Sequence, residues 1–523
     1  MERINKDTLK RSFLYTFILG FLAHGYGFLH FQPSHDSLVE AVSNGSYWKW
    51  KIQLGRYLKP LYDFFFGRFT SFPWVNGIMA LIWLSLAVYL VAEMLEMRKR
   101  SHIAIISGIL TTNVTVTATA ATYAPDLGSN MFALALAMLG AYIWKECSDH
   151  GSTPKKSTIA ICGIAIGVCI AASLALYQTF VFSFVTMVLV VSVLRCLQNP
   201  EYPLKKLWLS DFLAAGAAII GGILYYIGLK TITSVAGVDI AQDDYNSLSN
   251  AWSSTESIKD RVTDCWEMFK TAFAEMPGYV YPSQLPRLIN LLLLVVVGVC
   301  LVGSVIRLSK KKHSAARILS LVAFVALLPF SMNGVRLLNS LVHTLMVYSY
   351  WLTYVFVFCV AVTFVEPRKS KWVERVTAAL LCGILLMNIQ IANACYVKKT
   401  TEQEATLSLM TRVIDRVESL DGYEAGYTPV LFVGMPHNYL STFTPFNDIE
   451  ELIGLKGNSA ITYPRGFLPY FQMIMRVDMN LVYNLADYGM DEAESSKDMP
   501  NFPAKDSVQM KNGVVIVKFA DWS

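Results

Sequence analysis

The chain is short of charge. Only 16% of its 523 residues are Asp, Glu, Lys or Arg, against about 25% in ordinary soluble domains. A water-soluble enzyme of this length is therefore excluded. There is no C-x-x-C spacing and no Cys/His cluster among the nine cysteines, most of which lie in apolar runs. Neither a structural zinc site nor a disulfide framework is expected. No block of basic residues occurs and the formal net charge is a modest +5, which leaves nucleic acid nothing to hold. Internal repeats and low-complexity tracts are missing too. Charge is scarcest inside the apolar runs, where His24 is the clearest ionisable residue. Ion-coupled transporters keep acidic groups at membrane depth, so chemistry at a membrane surface is favoured over transport through it.

What abounds is apolar length. Hydrophobic residues make up 54% of the chain and the mean hydropathy is +0.42. Runs near the ~20 residues that cross a bilayer predict a polytopic α-helical membrane protein. About eleven spans are expected, near 12–30, 74–95, 102–122, 129–145, 157–175, 177–195, 211–231, 288–307, 317–332, 344–365 and 373–392. The first follows Lys6, Lys10 and Arg11 but lacks a signal-peptidase site, so it reads as a retained span. The connections MRKRSH, KECSDHGSTPKKS, RCLQNPEYPLKK, RLSKKKHSAAR and EPRKSKWVER are Lys/Arg-rich and share the N-terminus's side. By the positive-inside rule that side is cytoplasmic, in a multi-pass protein of the cell membrane.

The remaining connections then face outward: a first loop at 31–73, TYAPDLGSN, a long loop at 232–287, SMNGVRLLNS, and the C-terminal part. The chain divides into a membrane domain, 1–397, and a C-terminal domain, 398–523. The latter holds eleven Lys/Arg against seventeen Asp/Glu. EQEATLSLMTRVIDRVESL has helical spacing, and TPVLFVG and NGVVIVKFA read as buried strands, so a small extracytoplasmic α/β domain is predicted.

The stretch FLHFQPSHDS closes the first span with a His-Asp pair. Asp36 stands where a carboxylate is partly desolvated yet still able to take a proton; its other reading is a cap for a helix beginning at Ser37. His35 is an interfacial side chain or a substrate contact. The first loop defies the charge rule with Lys49, Lys51, Arg56, Lys59 and Arg68, interleaved with Trp48, Trp50, Tyr57, Tyr62 and a Phe64-Phe65-Phe66 run. This pattern describes helix lying in the bilayer interface, and its misplaced cations call for lipid head groups or a phosphate. Asp126 is a turn or cap residue, or the second acid of a site. Arg336 sits in a short apolar connection, where it needs an anion or must snorkel; His343 follows it. Tyr177-Gln178 hydrogen-bonds a sugar or merely closes a helical hairpin. Asp239, Asp243 and Asp244 offer oxygens to a divalent cation or form a solvated acidic loop. Arg287 ends MPGYVYPSQLPR, a candidate wall for a lipid groove.

An acid just beyond span one, interfacial helix behind it, many spans and an outer C-terminal domain resemble the GT-C glycosyltransferase superfamily. Within it, HDSLVEAVSNGSYWKWKIQLGRYLKPLYDF is similar to the bacterial serotype-converting glucosyltransferases, the Gtr type II family. Their G-R-[WY]-L-x-P-like segment is matched here by Gly55 to Pro60, and SLALYQTF and NACYVKKTTEQEATLSLMTRVIDRV also look like that family. The resemblance implies an inverting transfer of a glucose-like sugar from a polyprenyl-phosphate donor of the undecaprenyl kind. The acceptor would be an envelope polysaccharide or glycolipid, with a separate flippase and donor synthase in the same pathway. It implies Asp36 as the catalytic acid position and Asp126 as its support. Arg56, Arg336 and Arg287 are then candidates for the donor phosphate, and His35, Tyr177, Gln178 and His343 for substrate. The wider superfamily often pairs two acids in the first loop; His35 stands in place of one, so metal dependence is left open: no cofactor is certain, and a magnesium or manganese ion is the candidate. A glycan polymerase or ligase, or a flippase or transporter of lipid-linked sugars, are the other classes considered.

Overall fold

A backbone inside a bilayer must satisfy its own hydrogen bonds, and a helix does so within one segment. The chain is accordingly mostly helical in a computed structural model. It describes residues 4–43, 46–67, 72–149, 156–199, 201–241, 256–275, 285–310, 314–339, 342–365, 371–436, 460–461 and 464–521. Helix α1 (Lys6–Leu29) leads into three short helices, α2 (His35–Val42), α3 (Tyr47–Gln53) and α4 (Lys59–Phe66). Then come α5 (Trp74–Met94), α6 (Arg100–Thr111), α7 (Val114–Thr122), α8 (Leu127–Asp149), α9 (Lys156–Leu176), α10 (Val181–Gln198) and α11 (Leu204–Ala236). Helices Ile258–Glu275, Leu285–Ser309, Ser314–Met332 and Leu352–Val365 precede a 47-residue helix, Trp372–Glu418.

Among the described residues nine helices are long and apolar enough to cross a membrane. The protein is a polytopic helical membrane protein. The two other expected spans take different forms. Residues 102–122 become α6 and α7, bent by 40°, and 344–365 become a shorter apolar helix, Tyr348–Phe364. The bend has a local cause. Asn113 caps α7, its Oδ1 accepting from Val116 N at 3.1 Å, while its Nδ2 donates back to Ile109 O and Leu110 O at 3.0 Å each. His24 answers to the same break. Its ring nitrogens lie 2.9 Å from Thr111 O, at the last residue of α6, and 2.9 Å from Tyr396 Oη. The ionisable residue inside span one is thus a satisfied core group.

The basic connections gather at one end of the bundle. Arg11 donates to Arg98 O at 3.2 Å, Lys145 meets Glu96 at 3.5 Å, and Arg195 meets Asp149 at 2.6 Å. A Cys147–Cys162 disulfide ties α8 to α9 at this end. Only the α8–α9 hairpin brings that pair together; nothing in its spacing announces it.

The long helix spans about 70 Å at 1.5 Å per residue, more than twice a ~30 Å hydrocarbon core. It has no proline from Trp372 to Glu418, and so runs unbroken from the bundle into the C-terminal unit. There the sheet order is β2 (Asn480–Leu481), β1 (Pro429–Val433), β4 (Val514–Lys518), β3 (Val508–Lys511). β1 and β4 are parallel; β3 and β4 form a hairpin turned by Asn512-Gly513, both at positive φ. Both faces of β1 and β4 are covered, which explains their continuous apolar runs. One face receives Leu409, Met410, Val413 and Val417 of the long helix, and with them Leu38 from α2. The helix that carries Asp36 is therefore part of the C-terminal core.

Candidate active site

The opposite end of the bundle is built around two turns. The first opens α2. Ser34 Oγ accepts from Ser37 N at 3.3 Å and donates to Thr122 O at the end of α7. Ser34, not Asp36, is the helix cap. Asp36 instead lies in the first turn of α2, its side chain 28% exposed, with Oδ2 3.3 Å from His35 Nε2.

The second turn explains the Gly55–Pro60 segment. Helix α3 ends in a Schellman motif: Arg56 N donates to Lys51 O and Gly55 N to Ile52 O, both at 2.8 Å. The motif needs a left-handed residue, and Gly55 has φ +79°. Tyr57 stacks on Tyr225 of α11 at 5.7 Å, Leu58 N donates to Ala175 O at 3.0 Å, and Pro60 starts α4. The chain reversal brings Lys51, Arg56 and Lys59 to one carboxylate. Gly55→Ala is expected to cost about 1–2 kcal/mol for the left-handed strain and to lower the melting temperature in detergent. Gly222→Ala, mid-helix in α11 with nothing within 4 Å of an added Cβ, is the control that should not.

That carboxylate is Asp126. It closes the turn Ala124–Asp126 between α7 and α8 and is 2% exposed. Lys51 Nζ lies 2.5 Å from Oδ2, Lys59 Nζ 3.2 Å from Oδ1 and Arg56 Nη1 3.8 Å from Oδ2. Lys59 also pairs with Asp63 one helical turn on. Burial works against the Lys59 ammonium, yet Asp126, Asp63 and Glu40 outweigh it and hold its pKa above the usual lysine range. Burial pushes the Glu40 carboxyl up, with Lys51 and Lys59 working against the rise. Three of the cations that break the charge rule, Lys51, Arg56 and Lys59, thus have a protein anion; Lys49 is exposed, and Arg68 lies outside the described residues. α4 turns Lys59 and Asp63 inward and leaves Leu61, Phe64 and Phe65 outward, 52%, 81% and 68% exposed.

A cavity of about 320 Å³ opens between the two turns, at the lower end of the roughly 300–1,000 Å³ of small-molecule sites. His35, Asp36, Arg56, Asp126, Tyr177 and His343 all line it, joined by Lys51. Arg56 lies over the Tyr177 ring, 4.8 Å from its centroid. Its buried Nε makes no hydrogen bond among the described residues, and its ion pair to Asp126, at 3.8 Å, is loose. A guanidinium with donors to spare faces the cavity. Burial lowers His343 below the usual imidazole range, so it enters as a neutral ring.

Three named residues lie elsewhere. Arg336 is held by Glu256 at 3.2 Å and by Asp264, both from the 232–287 connection. Arg287 stands exposed in the first turn of Leu285–Ser309 and does not line the cavity. Gln178 donates to Leu54 O at 2.8 Å and lies 3.3 Å from Tyr225 Oη, bolting the Schellman turn to α11. Asp243, Asp244 and most of MPGYVYPSQLPR fall outside the described residues. Among the described residues no group of three His, Cys, Asp or Glu side chains is placed to hold a metal ion. Asp126, the most buried carboxylate of the cavity, has its oxygens on cations, so this donor set does not fit a divalent cation.

Lys51 and Lys59 are the residues that sequence reasoning noticed without placing. Their signal was position in a loop expected to face outward, where cations are unfavoured; their target, Asp126, is 75 residues from Lys51. A sequence profile of the family described as Glucosyl transferase GtrII matches residues 25–360. That interval contains every residue of the cavity. Neither a curated protein nor a solved structure matches the chain.

Proposed function

The chain belongs to the glucosyl transferase GtrII family, and from that premise we propose an inverting GT-C-type reaction with a polyprenyl-phosphate-linked donor. The donor sugar is glucose-like, and the acceptor is a cell-envelope polysaccharide or glycolipid. The cavity faces the extracytoplasmic side of the cell membrane, with the N-terminus in the cytoplasm. One observation carries the reading. A carboxylate at the cavity mouth, Asp36, and a guanidinium with unfilled donors, Arg56, border the same space.

The chemistry follows from those two groups. An acceptor hydroxyl is a poor nucleophile until its proton begins to leave, and Asp36 takes that proton as the new bond forms at the anomeric carbon. His35, 3.3 Å away, orients the receiving carboxylate. The bond from the anomeric carbon to the phosphate oxygen breaks with both electrons on oxygen. A phosphate monoester is a stable leaving group and needs no proton. It needs positive charge where its own grows, and Arg56 and Lys51 supply it. Asp126 is unsuited to act as a base among three cations; its part is to hold them in place. Attack opposite the departing phosphate inverts the anomeric centre. The exposed apolar face of α4 keeps the site at lipid level, where an isoprenoid tail lies.

The test is transfer by the purified protein in liposomes, offered polyprenyl-phosphate-glucose or a nucleotide sugar. The expected product carries a single added sugar of inverted configuration, from the lipid donor alone. Transfer from the nucleotide sugar, or a lengthened polymer, would overturn the reading.

A further inference from the structure

A second cavity, of about 280 Å³, lies along the same extended segment that delivers Asp36. His30 and Phe31 form one side, Thr400, Gln403 and Glu404 of the long helix another, and Tyr470 of the C-terminal unit a third. None of the reaction described above uses it.

Its chemistry differs from that of its neighbour. Lys51 and Arg56 line the first cavity; among the described residues no Lys or Arg lines this one. A phosphate or a carboxylate therefore has nothing to hold it here. The polar groups present are two amides, Gln32 and Gln403, with an alcohol, an imidazole, a phenol and a single carboxylate. Most of them both donate and accept, which is what sugar hydroxyls require of their partners. Phe31, 44% exposed, offers a flat apolar surface to the C–H face of a pyranose ring. Tyr470 gives the independent sign of a ligand. The residue is 1% exposed, yet its Oη makes no hydrogen bond among the described residues. A buried hydroxyl left unpaired costs about 1–3 kcal/mol, and a hydroxylated ligand in the cavity would relieve it.

We propose that this cavity is a saccharide subsite for the acceptor, holding a neutral hexopyranose unit next to the unit that receives the new sugar. The assignment rests on the transferase reading above. The geometry suits it: His30–Pro33 lines this cavity, and His35 and Asp36 line the other. One short segment thus touches both.

The experiment uses the full chain in nanodiscs and saturation-transfer NMR with methyl glycosides of glucose, galactose, rhamnose and N-acetylglucosamine. Tyr470→Phe removes only an oxygen with no hydrogen-bond partner among the described residues, and Glu404→Ala changes an exposed residue, so both should fold. At least one glycoside is expected to bind, and each variant to weaken it about tenfold, as for one lost hydrogen bond. In the transfer assay the same variants should raise the acceptor KM about tenfold, with kcat within about twofold. Glycoside binding that the variants weaken, in a protein with no transferase activity, would leave this site standing and remove the reaction. Active transfer with an unchanged acceptor KM in both variants would remove the site and leave the reaction. Displacement of the bound glycoside by a neutral diacyl lipid, equally in wild type and variants, would overturn it in favour of an acyl chain.

Discussion

Asp36→Asn is expected to lower the transfer rate by about 10²–10⁴-fold, the range for loss of a general base, with insertion and melting temperature unchanged. The stability half of this expectation comes from the structure. Asp36 does not cap α2, since Ser34 does, and its side chain is 28% exposed beside His35. Asparagine keeps the shape and loses only the ability to take a proton. Single-turnover transfer and thermal unfolding, measured on one preparation, separate the two effects. A variant that transfers at the wild-type rate would rule the carboxylate out as base. One that fails to fold would show that the pair with His35 supports α2, contrary to the capping geometry.

The second large effect runs the other way, on stability before rate. Asp126→Asn should destabilise the protein by about 3–5 kcal/mol, because breaking a buried ion pair from one side strands the other. Here Lys51 and Lys59 lie in the same buried cluster, with Nζ atoms 2.5 Å and 3.2 Å from the lost charge. Lys59 keeps Asp63; Lys51 has no second ion pair among the described residues. The double variant Lys51→Met with Asp126→Leu replaces the closest pair by apolar groups and should recover much of the loss, a coupling a double-mutant cycle reads directly. It should still transfer poorly, since the donor phosphate has lost a cation. Equal melting temperatures for Asp126→Asn and the wild type would mean the network contributes nothing.

The membrane spans were legible because the bilayer imposes one length and one hydropathy on each. The bend at Asn113 was not, although an Asn amid threonines is a capping signal; within an apolar run it reads as one polar residue in a span. Asp36, Arg56, Asp126, Tyr177 and His343 were found by one physical criterion, polar chemistry at the outer ends of spans, and the structure brings them around one cavity. The same criterion named Arg336, on the sound premise that a desolvated cation needs an anion. Its anions are Glu256 and Asp264 of the chain itself. Charge position in sequence announces that a partner is required, but the partner's identity is a fact of tertiary structure. Lys51 and Lys59 teach the same lesson in reverse: attributed to lipid head groups or a phosphate, they serve Asp126 first. Why α2, the helix of Asp36, also meets the C-terminal unit was beyond local pattern, since Leu38 and Leu409 share a core only after folding.

Leu38 deserves a last consequence. It is fully enclosed by the sheet's core, while Asp36 begins the same turn of helix two positions earlier. The Asp36 carboxylate is thus mounted on a helix that packs into the C-terminal unit, and Arg56 on a segment held against α9 and α11 of the bundle. A rocking of that unit against the bundle would change the gap between them directly, and a displacement of about 1 Å is worth about 10²-fold in rate. In the proposed reaction, stiffness at this joint would then set how faithfully the two groups meet from one turnover to the next.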